Sequence, residues 1–402
     1  MSELDYSKYH LSKNPFPKNA FIKVGIKDPR INGSIFCTEV FLEETNDLKQ
    51  KLGTKSNVIY LLGPGWERGT GKSAILVNAW KNLNSNDNIV NIYLKCEKYA
   101  PYNNPSGFAK GIIIELHKRN ILWKTLSLIL NNYVEDVQPL FPKISSLTTL
   151  FNTFKEYPQK LPFTRYTHIS DPTNFSFNIS NWTYEKWGLE KSICKKWLDI
   201  YLTFPSQFQD TLEKIPRKNA IRYYNFFINL LKITGLEHCF IFLDQFEDAL
   251  MIVSNPKIEE FCLGMRNLLE SGTGFTTITV TLHPDSYTKL ASGGETLTQL
   301  APLDTIHMIS IMTLKNRKEL VVPLSQSYLN EFRTSEPKYT TYPFTEDALQ
   351  LICDIEGGNI RQILQRLYHC IQIGLKKELS EITAKTICES PREFTGKELM
   401  QS

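Results

Sequence analysis

Gly63-Pro64-Gly65-Trp66-Glu67-Arg68-Gly69-Thr70-Gly71-Lys72-Ser73 follows the apolar run Val58-Ile59-Tyr60-Leu61-Leu62 and precedes Ile75, Leu76, Ala79 and Leu83, which recur at helical spacing. The order reads strand, glycine loop, helix. Backbone N–H groups of such a loop can surround phosphate oxygens, and the helix that follows turns the positive end of its dipole toward them. In that arrangement Lys72 reaches the terminal phosphates of a nucleotide and Ser73 ligates magnesium. Gly65, Arg68, Gly69, Thr70, Gly71, Lys72 and Ser73 are therefore the candidate nucleotide-binding residues, with ATP and Mg2+ as the expected cofactors. One departure is visible: the usual spacing leaves four residues between the first glycine and the position of Gly71, whereas Gly65 leaves five, with Trp66 where a glycine normally stands. The loop is either one residue longer than usual or starts on a bulky residue in β conformation.

Working outward, a helix is expected at about 39–52, and further apolar strands at Ile89–Cys96, Cys239–Leu243, Thr276–Leu282 and Thr305–Ile311. Five such strands alternating with helical sequence predict an α/β fold, a parallel, doubly wound sheet with helices on both faces. About 140 residues separate the second strand from the third, far more than one crossover needs, so a helical insertion is expected at about 100–220. The first 40 residues, with Asn14-Pro15-Phe16-Pro17 and Asp28-Pro29-Arg30, read as an irregular leader that wraps the core. From Tyr342 to about Leu379 two helices are punctuated by Glu356-Gly357-Gly358-Asn359; Ile360, Ile363, Leu364, Leu367 and Ile371 form an apolar stripe, and Asn359 with Gln362 suits an N-terminal cap. The expected organisation is a leader at 1–40, a nucleotide-binding core at 41–315 that contains the insertion, and a small helical lid at 316–402.

Cys239-Phe240-Ile241-Phe242-Leu243-Asp244-Gln245-Phe246-Glu247-Asp248 is an apolar strand ending in carboxylates. Asp244 at its tip would hold magnesium through water, and a second acid just beyond would polarise the attacking water. Gln245 cannot act as a base, which leaves Glu247 as the first choice and Asp248 as the second. After the strand Thr276–Leu282, Thr281 or His283 could present a polar group to the γ-phosphate. Arg361 starts a lid helix off its apolar stripe, where a guanidinium can reach the nucleotide across the cleft. Residues 284–314 contain no arginine to complete a neighbour's site; Lys289 lacks the planar fork, and Arg266 is the nearest candidate.

Composition excludes several classes. Of 402 residues, 42% are hydrophobic and 22% charged, ordinary globular values. A formal charge of +4 spread over the chain is weak evidence for nucleic acid, whose dedicated binding domains carry a denser basic stripe, and charge alone does not name the partner. Eight cysteines without a C-x-x-C pair suit a reducing cytoplasm, and no stretch reaches the roughly 18 apolar residues of a membrane span, so no membrane partner is expected.

With Lys72, Asp244, Glu247 and Arg361 in this order, the chain resembles AAA+ P-loop ATPases, both the initiator, helicase-loader and MuB- and ExeA-like group and the STAND-type ATPases of prokaryotes. The likeness covers about 40–100, 220–315 and 316–380, and the segment from Pro343-Phe344-Thr345-Glu346-Asp347-Ala348-Leu349 to Gly357-Gly358-Asn359-Ile360-Arg361 is similar to the lid of the initiator group. The spacing of Asp244 from the acidic pair Glu247-Asp248 is similar to that of the STAND branch. The resemblance implies an ATPase that assembles as a homo- or hetero-oligomer and whose nucleotide state controls assembly on duplex DNA. The basic, aromatic segments His117-Lys118-Arg119 and Trp187 to Trp197, with Lys191, Lys195 and Lys196, are candidate DNA contacts. The alternative is a slow-turnover switch that docks a protein effector, as in a prokaryotic defence system, through exposed aromatics of 138–190 without touching DNA.

Overall fold

The computed structural model describes residues 4–54, 58–63, 69–83, 88–96, 104–137, 172–254, 257–283, 285–286, 288, 306–335 and 340–396. Within them β1 (Val58–Leu62), β2 (Ile89–Lys95), β3 (His238–Asp244), β4 (Thr276–Leu282) and β5 (Ile306–Ser310) pair in parallel in the order β2-β3-β4-β1-β5. The expected bounds of β1 and β4 match, while β2, β3 and β5 differ by a residue at one or both ends. Every residue of β3 and β4 is buried, which is why these strands read as continuous apolar or threonine runs instead of alternating ones. Because β4 lies between β1 and β3, the glycine loop after β1 and the acids after β3 open at the same edge on either side of it, the place where open parallel sheets bind ligands.

The helices are α1 (Leu42–Gly53), α2 (Lys72–Leu83), α3 (Pro105–Lys118), α4 (Ile121–Val137), α5 (Pro172–Trp187), α6 (Lys191–Thr203), α7 (Phe208–Glu213), α8 (Arg217–Ile233), α9 (Phe246–Ile252), α10 (Ile258–Ser271), α11 (Val321–Glu331), α12 (Glu346–Ile355), α13 (Ile360–Lys376), α14 (Ala384–Glu389) and α15 (Pro391–Thr395). Strand parity divides them between two cores. Val58, Tyr60, Ile92, Leu94, Ile241, Leu243, Ile278 and Val280 face the core built by α3 to α10. Ile59, Leu61, Phe240 and Phe242 face the other, with α1, α2, the leader and α11 to α15. The architecture is thus an α/β fold, a parallel sheet with helices on both faces, a helical insertion and a C-terminal helical lid.

Two features differ from the sequence reading. The lid is more than a helix pair: α11 precedes it, and α14 and α15 follow, started by the Thr383 cap on Thr386 N–H and by Pro391. Of the segments read as candidate DNA contacts, Trp197 and the His117 and Arg119 side chains are turned inward, while Lys118, Lys191 and Lys196 are exposed. His117 Nδ1 lies 2.6 Å from the Tyr201 hydroxyl, Arg119 donates to Asn91 Oδ1 at 2.7 Å and covers the Trp80 ring, and Trp197 is 1% exposed. Lys191 stands over the Tyr184 ring and Lys195 pairs with Asp199. Trp197 and Tyr201 form part of the interior of the insertion, where burying a large ring contributes more than leaving it wet. Of the aromatics expected to be exposed, residues 138–171 lie outside the description; Phe177 and Tyr184 are exposed, while Trp182 and Trp187 pack edge to face and are partly buried.

The leader is held mainly by the lid. Asn14, 3% exposed, donates to Tyr368 O at 2.9 Å and accepts from Phe16 N, and Phe16 stacks on Tyr328. Tyr9 donates to Leu379 O at 3.0 Å, and Gln365 reaches Lys18 O. A chain with little secondary structure of its own must place its backbone groups on neighbours, and these bonds do so. Among the described residues no helix is long and apolar enough to cross a membrane.

Candidate functional site

Lys72 opens α2 and is 8% exposed, folded back so that its ammonium lies where a side chain on Gly63 would begin. A cation that nearly buried needs compensating charge, and the Glu247 carboxyl interacts with it electrostatically. Ser73 donates to Asp244 Oδ1 at 2.8 Å, joining the glycine-loop helix to the tip of β3. Oδ1 also accepts from the Thr281 hydroxyl at 3.2 Å and from Gln245 N–H at 3.0 Å, and Oδ2 accepts from the Tyr93 hydroxyl at 2.7 Å. Asp244 is 1% exposed, so these donors replace the water that a buried carboxylate would otherwise lack.

Gln245 turns the chain at φ 56°, its N–H donating to Thr281 Oγ1 at 2.8 Å as well as to Asp244. This left-handed corner starts α9 at once and brings Glu247 into the pocket shared with Lys72, Ser73, Asp244 and Thr281. Glu247 is 7% exposed, and its Oε2 has no hydrogen-bond partner among the described residues. Burial pushes its carboxyl above the ordinary value; the Lys72 charge opposes this, and Asp244 and Asp248 add to it. Asp248 is partly exposed and does not line the pocket.

The lid closes the other side. Arg361 N–H donates to Gly69 O at 3.1 Å and its Nε to Ala20 O of the leader at 2.9 Å. Gly69 has φ 102°, and a Cβ there would lie 2.5 Å from that of Arg361, so lid and loop approach too closely for any other residue. Asn359 caps α13 by accepting from Gln362 N–H at 3.2 Å. Ala20, Ile22, Phe36, Phe41, Leu324 and Tyr328 complete the pocket wall, with Phe36 stacked on Phe41 at 5.4 Å.

The structure therefore gathers Gly69, Thr70, Gly71, Lys72, Ser73, Asp244, Glu247 and Arg361 around one pocket. Gly65 and Arg68 lie outside the described residues, as does Lys289. Of the two residues expected to present a polar group to the γ-phosphate, Thr281 lines the pocket, whereas His283 pairs with Asp285 at 3.0 Å beyond the strand. Arg266 pairs with Glu270 on an exposed face of α10. Sequence reasoning passed over Tyr93 and the leader's wall residues. The signal for Tyr93 was strand parity, since it shares a face with Asp244 once β2 and β3 pair; the irregular leader offered none.

Among the described residues no cluster of three or more His, Cys, Asp or Glu could hold a metal. The donors at Ser73 and Asp244 are instead a hydroxyl and a carboxylate, hard oxygens of the kind Mg2+ takes when nucleotide phosphates and water supply the rest. Thr70 Oγ1, buried and without a hydrogen-bond partner among the described residues, is a further polar atom left for a ligand.

No protein-family model matches the chain, and no curated protein matches it in sequence. Among solved structures it is similar to Cdc6p from Pyrobaculum aerophilum, with 13% identity and a TM-score of 0.44 over 97% of this chain and 71% of that one. It is also similar to the ORC2 protein of Aeropyrum pernix, solved as ADPNP and ADP complexes, with 9% identity and a TM-score of 0.47 over 97% of this chain and 73% of that one. Both are likenesses of fold.

Proposed function

We propose that the protein binds ATP with Mg2+ and hydrolyses it in this pocket, and that its nucleotide state controls assembly on DNA. The observation that carries the ATPase reading is the convergence of Lys72, Ser73, Asp244, Glu247 and Arg361, from three distant stretches of the chain, on one pocket at the carboxyl edge of a parallel sheet. Lys72 would pair with the terminal phosphates, and the loop's backbone N–H groups would hold their oxygens. Ser73 and Asp244 would hold Mg2+, which when bound offsets the charge on the phosphates. Glu247 would accept the proton of the attacking water through the oxygen that lacks a partner, a task for which a raised pKa makes the ionised form a stronger base. Arg361 would meet the phosphates from the lid, and the bond between its N–H and Gly69 O would make the angle of the lid depend on what the loop holds. The DNA part of the proposal rests on the resemblance of Pro343 to Arg361 to initiator-type lids.

The test is ATP binding and turnover by the wild type and by Lys72→Ala, Glu247→Gln and Asp248→Asn, with and without duplex DNA. Lys72→Ala should lose binding and turnover; Glu247→Gln should keep binding and lose about 100-fold or more in turnover, the scale of losing one group that acts in the transition state. Asp248→Asn should change turnover little, and DNA should stimulate the wild type. Tight binding with neither turnover nor a DNA response would replace this reading with a protein-docking switch, and absence of ATP binding would end both.

A further inference from the structure

Tyr93 stands on β2, two residues before its end, and neither the loop pattern nor the acidic cluster includes it. In the β2–β3 register Tyr93 pairs with Phe242 and Lys95 with Asp244, so the Tyr93 side chain leaves the sheet on the face that carries Phe242 and Asp244. Its hydroxyl meets Asp244 Oδ2 at 2.7 Å, and its ring leans on Trp80 of α2 with centroids 5.6 Å apart. The other carboxylate oxygen is claimed by Ser73, Thr281 and the Gln245 N–H. The two oxygens are thus divided: Oδ2 is turned to the edge strand and Oδ1 to the phosphate helix.

We propose that Tyr93 is a positioning residue for the magnesium site: its hydroxyl fixes the rotation of the Asp244 carboxylate so that Oδ1 is presented beside the Ser73 hydroxyl. The physical reason is that a carboxylate can turn about its Cβ–Cγ bond at little cost unless hydrogen bonds hold both oxygens; Tyr93 donates to Oδ2, opposite the donors to Oδ1, and Asp244 is buried too deeply for water to replace that bond. A partner outside the ligand set that orients a metal-binding carboxylate ordinarily contributes about 10–100-fold in metal affinity. Trp80 in turn restricts the phenol ring, linking the first helix after the loop to the edge strand.

The inference rests on the nucleotide-binding reading, and the experiment separates the two. A fluorescent ATP analogue is titrated into wild type and Tyr93→Phe, in EDTA and at graded Mg2+, alongside Tyr201→Phe, which removes another buried phenol bond, the 2.6 Å contact to His117, in the insertion. Tyr93→Phe should bind the analogue in EDTA as the wild type does but need about 10–100-fold more Mg2+ for the metal-dependent tightening. Tyr201→Phe should leave that midpoint unchanged. In an Asp244→Asn background, Tyr93→Phe should cost nothing further in the midpoint. Should Tyr93→Phe fold poorly, Trp80→Leu keeps the hydroxyl but frees the ring and should raise the midpoint to a smaller degree. An unchanged Mg2+ midpoint in folded Tyr93→Phe, or equal shifts in Tyr93→Phe and Tyr201→Phe, overturns the inference. A wild type that binds no analogue overturns the nucleotide reading instead.

Discussion

Asp244 and Glu247, three residues apart, are treated in opposite ways by the fold. Asp244 receives hydrogen bonds from Ser73, Tyr93, Thr281 and the Gln245 N–H, whereas Glu247 Oε2 receives none among the described residues. The first is a carboxylate held in one orientation; the second is left basic because its charged form is poorly solvated. The stability consequence has a definite sign. A carboxyl whose folded pKa lies above its unfolded value binds more protons folded than unfolded across that window, so stability falls as pH rises through it. Glu247→Gln should therefore raise the melting temperature of the nucleotide-free protein above the window and leave it unchanged below, which thermal melts across a pH series will show. A melting temperature that drops at high pH would mean that Lys72 outweighs burial at Glu247. At this scale Lys72, Ser73, Asp244 and Arg361, which the structure brings to one pocket, each belong to a local pattern in the sequence, which left Glu247 and Asp248 as ordered choices. Tyr93 was not, because nothing local marks a tyrosine on an apolar strand until the partner strand's register is known.

The elements that carry the site are held by backbone as much as by side chains. The turn between α12 and α13 uses Gly357 and Gly358 at φ 60° and 75°. A Cβ on Gly358 would lie 2.1 Å from Lys315 N, and the Gly358 carbonyl accepts from Leu314 N–H at 3.1 Å. The lid turn is thus pressed against the chain that enters the lid, and a side chain has neither the conformation nor the room it needs. Gly358→Ala should destabilise the protein by at least about 1–3 kcal/mol, measured as a lower urea midpoint at constant slope. Because this turn also sets the start of α13, ATP affinity should fall with it. The expected bounds of β1 and β4 matched because each is a continuous apolar or threonine run that ends at once in loop residues, whereas the polar His238 and Asp244 at the ends of β3 broke its run. Helices α14 and α15, six and five residues long, were too short to show a period.

On the scale of the whole molecule, the pocket is where the leader, the core and the lid meet. The leader supplies Ala20, Ile22 and Phe36, the core supplies the glycine loop and the acids, and the lid supplies Ile360 and Arg361. Away from the pocket the parts are tied by Asn14 to Tyr368 and by the ion pair of Arg317 with Glu44, whose carboxylate side chain is 3% exposed. A ligand that touches all three stabilises them together, by about 2.7 kcal/mol at a hundredfold excess over its dissociation constant. Mg-ATP should accordingly slow hydrogen exchange in the leader and in α13 as well as in the loop, and Lys72→Ala should abolish the slowing in all three. Protection confined to the loop would show that leader and lid do not sense the nucleotide.

The sequence by itself determined the acidic strand tip and the lid turn, each written within about ten neighbouring residues whose apolar period and punctuation depend on local sterics and burial, and the class of sheet, written in five such runs alternating with helical sequence. The tertiary structure alone decided that Glu247 enters the pocket while Asp248 stays outside, that Tyr93 reaches Asp244, and that the aromatics of the insertion form its interior. Those outcomes depend on strand register, on the left-handed corner at Gln245 and on which faces of distant helices pack together, and such long-range pairings are set by the total free energy of the fold instead of by any neighbouring residues.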